Sequence, residues 1–152
     1  MNEIKQIVVG VDGSESSRAA LQWAYNEAAH HGASLVAVST WHPPALPLGP
    51  GYGSMPPEGY ETQPERDARE VLERLTEDLE PRTPEVDVRI SISKGNPAKV
   101  LIDMSQGADL LVVGSRGHGG FAGMLLGSVS QHVVAHAACP VVVLRGEVDR
   151  SH

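Results

Sequence analysis

The stretch that decides the fold is QIVVGVDGSESS, residues 6–17. Its first half is a short apolar run rich in β-branched residues, and its second half holds the aspartate, glycine and serine that are typical of turns. Ser14 is a suitable N-cap for a helix that continues to about His31, and Gly32 is placed to end that helix. The stretch therefore predicts a β-strand, a loop and an α-helix in succession.

The same alternation of apolar runs and helical segments continues along the chain. The predicted strands after the first are Ser34–Trp41, Val86–Ser93, Asp109–Gly114 and Pro140–Arg145, and the later helices are Glu65–Leu79, Pro97–Gln106 and Ser128–His136. This order predicts an α/β fold in which helices cover both faces of a parallel sheet. We expect a single domain over residues 1–152, an open five-stranded parallel sheet in a Rossmann-like or flavodoxin-like α/β/α sandwich, with strand order 3-2-1-4-5.

The composition of each strand indicates its position in the sheet. The runs IVVGV (residues 7–11) and LLVVG (residues 110–114) are apolar throughout, as expected of central strands that are buried on both faces. The run VDVRISIS alternates and belongs at an edge. The last strand is also an edge but is wholly apolar, and such an edge can pair with another chain. The sequence thus predicts a homodimer joined through Val141, Val142, Val143 and Leu144, with coverage of this edge by the C-terminal tail as the alternative.

Bulk composition excludes several classes of protein. The 152 residues carry a formal net charge of −7 and include three lysines, which argues against a nucleic-acid or anionic-membrane surface. No apolar run approaches the roughly 18 residues of a membrane span, and no leader segment is visible. The one cysteine, Cys139, forms no intrachain disulfide and is expected to be a buried, inert thiol. A cytoplasmic protein is the expectation. The segment at 42–64 is rich in proline and glycine and predicts a loop or a lid.

A second stretch, GSRGHGGFAGMLLGS at residues 114–128, concentrates glycine after the fourth strand. Ligands of open α/β sheets bind beyond the carboxyl ends of the strands, where the strand order reverses. If strands one and four are neighbours there, this loop meets the loop that begins at Val11. Glycines let backbone N–H groups approach a ligand, and the helix that opens at Ser128 favours anions, so a phosphate chain is the expected ligand.

Two familiar phosphate motifs do not account for this loop. A P-loop needs the pattern GxxxxGK[ST], and no lysine lies near the loop. The run from Gly117 to Ala122 matches GxGxxA, but a dinucleotide-binding fingerprint belongs in the first strand–helix turn and not after the fourth strand.

The spacing of Gly114, Gly117, Gly127 and Ser128, G-x2-G-x9-G-[ST], resembles the motif of the ATP-binding branch of the universal stress protein family. The resemblance covers nearly the whole chain, from VGVDGSESSRAAL to the C-terminal third. It implies a cytoplasmic, ATP-binding regulatory module of the stress response. It also implies a homodimer through the last strand. Mg²⁺ held through the phosphates and an unidentified protein partner are further expectations.

The resemblance also implies roles for individual residues. Asp12 would lie at the adenosine moiety, and the backbone of Val38 would meet the adenine edge. Arg116 and His118 would add positive charge. Further contacts are implied for Val11 and Gly13 beside Asp12, for Gly114, Ser115, Arg116 and Gly117 around the ribose and first phosphates, and for Gly127, Ser128, Val129 and Ser130 at the outer phosphates.

Other functions stay open on the sequence alone. The protein could be a slow Mg²⁺-dependent nucleotide hydrolase, a binder of AMP or cyclic AMP, or an interaction protein whose glycine loop is only structural. No nucleophile–base–acid set is visible, so a dedicated enzyme is not the expectation. Asp12 could act only as a cap of the first helix region, and His132 and His136 are expected to be ordinary helix residues because the HExxH pattern is absent.

Overall fold

The computed structural model of the chain describes residues 3–43, 62–117 and 125–146. Within these residues the elements alternate along the chain: β1 Gln6–Gly10, α1 Glu15–His31, β2 Ser34–Trp41, α2 Thr62–Glu77, β3 Val88–Lys94, α3 Pro97–Ser105, β4 Leu110–Gly114, α4 Ser128–His136 and β5 Val141–Leu144. The strands form one parallel sheet in the order β3-β2-β1-β4-β5. The predicted α/β fold and the predicted strand order are confirmed.

The helix ends follow the local signals in the sequence. The side chain of Ser14 accepts a hydrogen bond from the Ser17 amide at the start of α1, and that of Asn96 accepts one from Lys99 at the start of α3. Gly32 adopts the left-handed conformation, with φ of 65°, that ends α1. These three polar or flexible residues fix where the helices begin and end.

Two predicted element starts differ from the structure by two residues or more. Helix α2 begins at Thr62 and not at Glu65, and it includes Pro64 in its first turn. Proline is tolerated there because the first N–H groups of a helix have no acceptor within the helix, so the N–H that proline lacks costs no hydrogen bond. Strand β3 begins two residues after Val86, although Val86 itself is buried. The predicted insert at 42–64 lies mostly outside the described residues.

Two hydrophobic layers enclose the sheet. Helices α1 and α2 pack with Ile7, Val9 and Leu35 on one face, whereas α3 and α4 pack with Val8 and Val36 on the other. Strands β1 and β4 are interior and β3 is an outer strand, as their compositions predict. The connection after β1 leads through α1 to β2, and the connection after β4 leads through α4 to β5 on the opposite side. The strand order therefore reverses between β1 and β4, and a ligand of such a sheet binds at the carboxyl ends of these two strands.

Candidate functional site

A cavity of about 720 Å³ lies at the carboxyl ends of β1, β2 and β4. Its volume falls within the range of roughly 300–1,000 Å³ that is usual for small-molecule sites. The loops after β1 and β4, the last residues of β2, the middle of α2, the N-terminal half of α3 and the first turn of α4 supply its walls. The cavity is thus built where the sequence analysis places the ligand.

The loop after β1 presents a carboxylate to the cavity. Asp12 is exposed, and its Oδ1 accepts a hydrogen bond of 2.9 Å from the Ser14 amide. Gly13, with φ of 83°, makes the turn between them. The other carboxylate oxygen of Asp12 lies so close to Gly117 that a Cβ added there would stand 2.7 Å from it. The loops after β1 and β4 therefore meet at Asp12 and Gly117.

The loop after β4 is anchored at its beginning by α1 and by β5. A Cβ at Gly114 would stand 2.7 Å from backbone atoms of Ser16 and Ser17, so β4 ends against the first turn of α1. The Ser16 hydroxyl donates a hydrogen bond to the carbonyl oxygen of Arg116. The amide of Ser115 donates one of 2.7 Å to the carbonyl oxygen of Leu144 in β5. These contacts fix the path by which the chain enters the glycine loop.

Helix α4 begins at the cavity without a side-chain cap. Its N-cap residue is Gly127, whose amide donates a 2.7 Å hydrogen bond to the carbonyl oxygen of Ser115. The hydroxyl of the buried Ser130 has two carbonyl acceptors at 3.0 Å, those of Ser115 and Gly127. The first N–H groups of a helix have no partners within the helix, and together with the helix dipole they attract anions. The start of α4, with exposed Ser128 at its first position, is therefore the part of the cavity suited to a phosphate.

Strand β2 extends further than its neighbour β1 at this edge. Pairing of β1 with β2 ends at Gly10 and Val38, and the carbonyl oxygen of buried Val38 already accepts a hydrogen bond of 2.8 Å from Val11. Strand β2 continues to Trp41, still paired with β3. Alternate residues of a strand direct their N–H and C=O groups to the same side, so those of Thr40 point, like those of Val38, to the side that β1 has left. Thr40 lines the cavity.

Most of the predicted site residues meet at this cavity. Ten of them line it: Val11, Asp12, Val38, Gly114, Arg116, Gly117, Gly127, Ser128, Val129 and Ser130. Gly13 and Ser115 stand behind this lining, where Gly13 makes a turn and Ser115 joins β5 and α4. His118 lies outside the described residues.

Sequence reasoning missed several residues of the cavity wall. Thr40 was signalled by the length of the second apolar run, which exceeds that of the first. Asp67, Ala68 and Val71 of α2 and Pro97 and Leu101 of α3 also line the cavity, and no motif marks them. Their position follows from how α2 and α3 pack on opposite faces of the sheet.

Electrostatic features beyond the cavity are few. Within residues 3–43, 62–117 and 125–146, no three His, Cys, Asp or Glu side chains come together as a metal site. Burial, and then the Asp109 carboxylate, raise the pKa of the Cys139 thiol, which keeps the thiol protonated and slow to react at neutral pH. No helix of the described segments has both the length and the apolar character needed to cross a membrane.

Comparison with known proteins gives a consistent result. The model of the universal stress protein family matches residues 3–145. The chain is 39% identical over 141 residues to a universal stress protein of Mycolicibacterium smegmatis and 38% identical over 139 residues to one of Mycobacterium tuberculosis. Each alignment covers 91% of this chain but 45% and 43% of those relatives. The chain thus spans less than half the length of these relatives.

Solved structures agree with this match. The universal stress protein UspA of Lactobacillus plantarum is 25% identical with a TM-score of 0.71, and the comparison covers 95% of this chain and all of that one. A universal stress protein crystallised in complex with cAMP is 27% identical with a TM-score of 0.66, covering 96% of this chain and 100% of that chain.

Proposed function

Because the chain belongs to the universal stress protein family, we propose that it binds ATP in the cavity at the carboxyl ends of β1, β2 and β4. In this proposal the protein is a cytoplasmic homodimer and a regulatory module of the stress response. Nucleotide occupancy changes the surface that a protein partner meets.

The observation that carries the proposal is the contact series from Asp12 through Gly117 to Gly127. Asp12 Oδ2 lies against Gly117, and a Cβ at Gly127 would stand 3.4 Å from the Gly117 nitrogen. A carboxylate suited to ribose hydroxyl groups and a helix start suited to phosphates are thereby joined along one wall. Glycines at both contact points keep that wall free of side chains, so that a ligand can approach the backbone.

The rest of the cavity suits a base. Its wall beside β2 includes the apolar Val38, Ala68 and Val71, and the peptide groups of Thr40 offer one donor and one acceptor toward the gap left by β1. A donor–acceptor pair of this kind matches the edge of adenine, which carries a ring nitrogen acceptor beside an amino donor. The relative in complex with cAMP supports an adenine nucleotide as the ligand class.

The geometry favours binding over rapid turnover. Fast phosphoryl transfer requires a positioned nucleophile, a metal ion and stabilisation of charge. Arg116 is the cation among the described lining residues of the cavity, and its side chain is exposed. Mg²⁺ would be held chiefly by the phosphates, where it neutralises their charge, and Asp12 is the carboxylate nearest the glycine wall. Slow hydrolysis remains the second candidate activity.

Titration calorimetry with ATP, AMP and cAMP tests the proposed ligand. We expect ATP, with Mg²⁺, to bind with a dissociation constant on the order of micromolar, and AMP to bind more weakly because it lacks the outer phosphates that reach α4. Tighter binding of cAMP than of ATP would identify the ligand as the cyclic nucleotide. Absence of ATP binding at about 1 mM would contradict the proposal.

Two serines of α4 separate a ligand contact from a structural role. Replacing exposed Ser128 by alanine is expected to weaken ATP binding about three- to tenfold and to leave the melting temperature unchanged, because its hydroxyl faces the cavity. Replacing buried Ser130 by alanine removes the one hydroxyl donor that the carbonyl groups of Ser115 and Gly127 share, at a cost of about 1 kcal/mol in the free energy of unfolding. Both variants are measured by calorimetry and by thermal unfolding, so that each variant is the control for the other. Equal effects of the two substitutions on both measurements would contradict this division.

Strand β5 supports the proposed homodimer. The carbonyl groups of Pro140 and Leu144 accept hydrogen bonds from Leu111 of β4 and from Ser115, which follows β4, so both residues direct their peptide groups inward. Alternation then places the peptide groups of Val142 inward and those of Val141 and Val143 at the outer edge. No strand of the described segments pairs with that outer edge. The edge therefore has the donors and acceptors that a second copy of β5 needs.

Proline scanning of β5 tests the dimer. We expect Val143→Pro to yield a folded monomer, because proline removes an outward N–H and leaves the bonds to β4 in place. Val142→Pro is the contrast, since it removes an inward N–H and should lower the melting temperature. Light scattering should give twice the 16.1 kDa chain mass for the unmodified protein and the chain mass for Val143→Pro. A dimer that survives Val143→Pro would contradict pairing through β5.

A further inference from the structure

Asp67 brings a second carboxylate to the cavity, on the side opposite the glycine wall. It lies on α2, which packs on β2 and β3, whereas α4 packs beside β5. Gln63, one turn earlier, donates a hydrogen bond of 2.8 Å to Asp67 Oδ1. Within the described part of the chain, the structure gives Asp67 Oδ2 no partner. Asp67 is exposed, so one of its carboxylate oxygens is bonded to Gln63 at the surface while the other can accept a hydrogen bond from a ligand.

Apolar side chains line two walls of the cavity beside Asp67, and we call this end of the cavity the slot. Ala68 and Val71 of α2 approach the end of β2 from one face of the sheet, and Pro97 and Leu101 of α3 approach it from the other. Apolar side chains on two sides favour an aromatic base over a phosphate. Since the anion-binding start of α4 lies at the other end of the cavity, the base and not the phosphate tail occupies the end beside Asp67.

We propose that Asp67 makes the site selective for purines that carry a 6-amino group over purines that carry a 6-oxo group. An ionised carboxylate only accepts hydrogen bonds. It therefore attracts the exocyclic amino group of adenine and repels the carbonyl oxygen of hypoxanthine or guanine. The same charge disfavours a reversed ligand, with phosphates beside α2, so that Asp67 also fixes the direction in which the nucleotide enters. This inference rests on the proposed nucleotide site and adds the residue that reads the base.

The test compares ATP with inosine triphosphate, which has the same sugar and phosphates but a 6-oxo base. We expect ATP to bind to the unmodified protein at least about tenfold more tightly. In Asp67→Asn the ratio should fall to about threefold or less, because the carboxamide can donate a hydrogen bond as well as accept one. The preference for ATP over inosine triphosphate that remains in Asp67→Asn measures the selectivity contributed by the Thr40 peptide groups.

A matched control separates hydrogen bonding from net charge. Glu70 is exposed on the same helix and does not line the cavity, so Glu70→Gln removes one negative charge without touching the slot. The control should retain the full preference for ATP. An unchanged ratio in Asp67→Asn, an equal loss in Glu70→Gln, or equal binding of both nucleotides to the unmodified protein would overturn the inference and leave the nucleotide site standing. Failure of both nucleotides to bind would overturn the proposed site itself.

Discussion

Replacing Gly117 by valine is expected to weaken ATP binding at least about a hundredfold. A Cβ at this position would stand 2.7 Å from Asp12 Oδ2, and the two methyl groups of valine would extend further into the cavity. Asp12 cannot turn away without loss, because its Oδ1 accepts a hydrogen bond from the Ser14 amide. The substitution thus displaces the carboxylate and fills space that the ligand needs. A hundredfold loss corresponds to about 2.7 kcal/mol, which is within reach of a lost charged hydrogen bond together with a steric clash.

Gly107→Val is the matched control for this variant. A Cβ at Gly107 meets no atom within 4 Å, and neither Gly107 nor Gly117 has a positive φ, so the two sites differ in surroundings and not in backbone strain. We expect the Gly107 variant to bind ATP like the unmodified protein, and thermal unfolding should show that both variants are folded. Retained ATP binding in Gly117→Val would mean that the nucleotide does not lie against this wall.

Replacing Gly114 by alanine is expected to produce the largest loss of stability among the glycine substitutions considered. The added Cβ would stand 2.7 Å from the carbonyl carbon of Ser16 and from the amide nitrogen of Ser17. Backbone atoms cannot rotate out of the way, so β4 and the first turn of α1 would have to separate. Overpacking of this kind costs about 2–3 kcal/mol, which for a chain of this length lowers the melting temperature by about 5–10 °C.

Gly10→Ala provides the comparison for Gly114→Ala. Both glycines end a central strand, but a Cβ at Gly10 would meet the side-chain end of Leu101, at 2.8 Å. A leucine side chain can shift by changing rotamer, whereas two backbone atoms cannot, so the Gly10 variant should lose less stability. Thermal unfolding of the two variants checks this order. A larger loss of stability in Gly10→Ala than in Gly114→Ala would show that α1 can move away from β4 at lower cost than the packing implies.

The sequence predicted the sheet well because burial leaves a direct record in strand composition. Runs without polar residues marked β1 and β4 as interior strands, and alternation marked β3 as an edge. The predicted strand order also indicated which loops would meet, and Gly117 and Gly127 lie where the segments of the site come into close contact. Signals of this kind are local and chemical, and one sequence is enough to read them.

Other parts of the site depend on distances that no local pattern encodes. Asp67 enters the cavity only because α2 returns to the sheet after a long connection, and its own helix looks like any charged surface helix. Ser115 and Ser130 are predicted ligand contacts, and the structure adds one hydrogen bond between them, from the Ser130 hydroxyl to the Ser115 carbonyl oxygen, which joins the end of β4 to α4. A hydroxyl in sequence does not reveal whether its acceptor will be a ligand or the protein's own backbone.

The peptide at Ser115 links the proposed dimer edge to the proposed ATP site. Its amide is bonded to Leu144 in β5, and its carbonyl oxygen is bonded to Gly127 at the start of α4. A single residue therefore stands between the strand that would meet a second copy and the helix that would meet the phosphates. By reciprocal linkage, any factor by which ATP strengthens self-association is also the factor by which self-association strengthens affinity for ATP. Nucleotide affinity would then depend on the protein's own concentration.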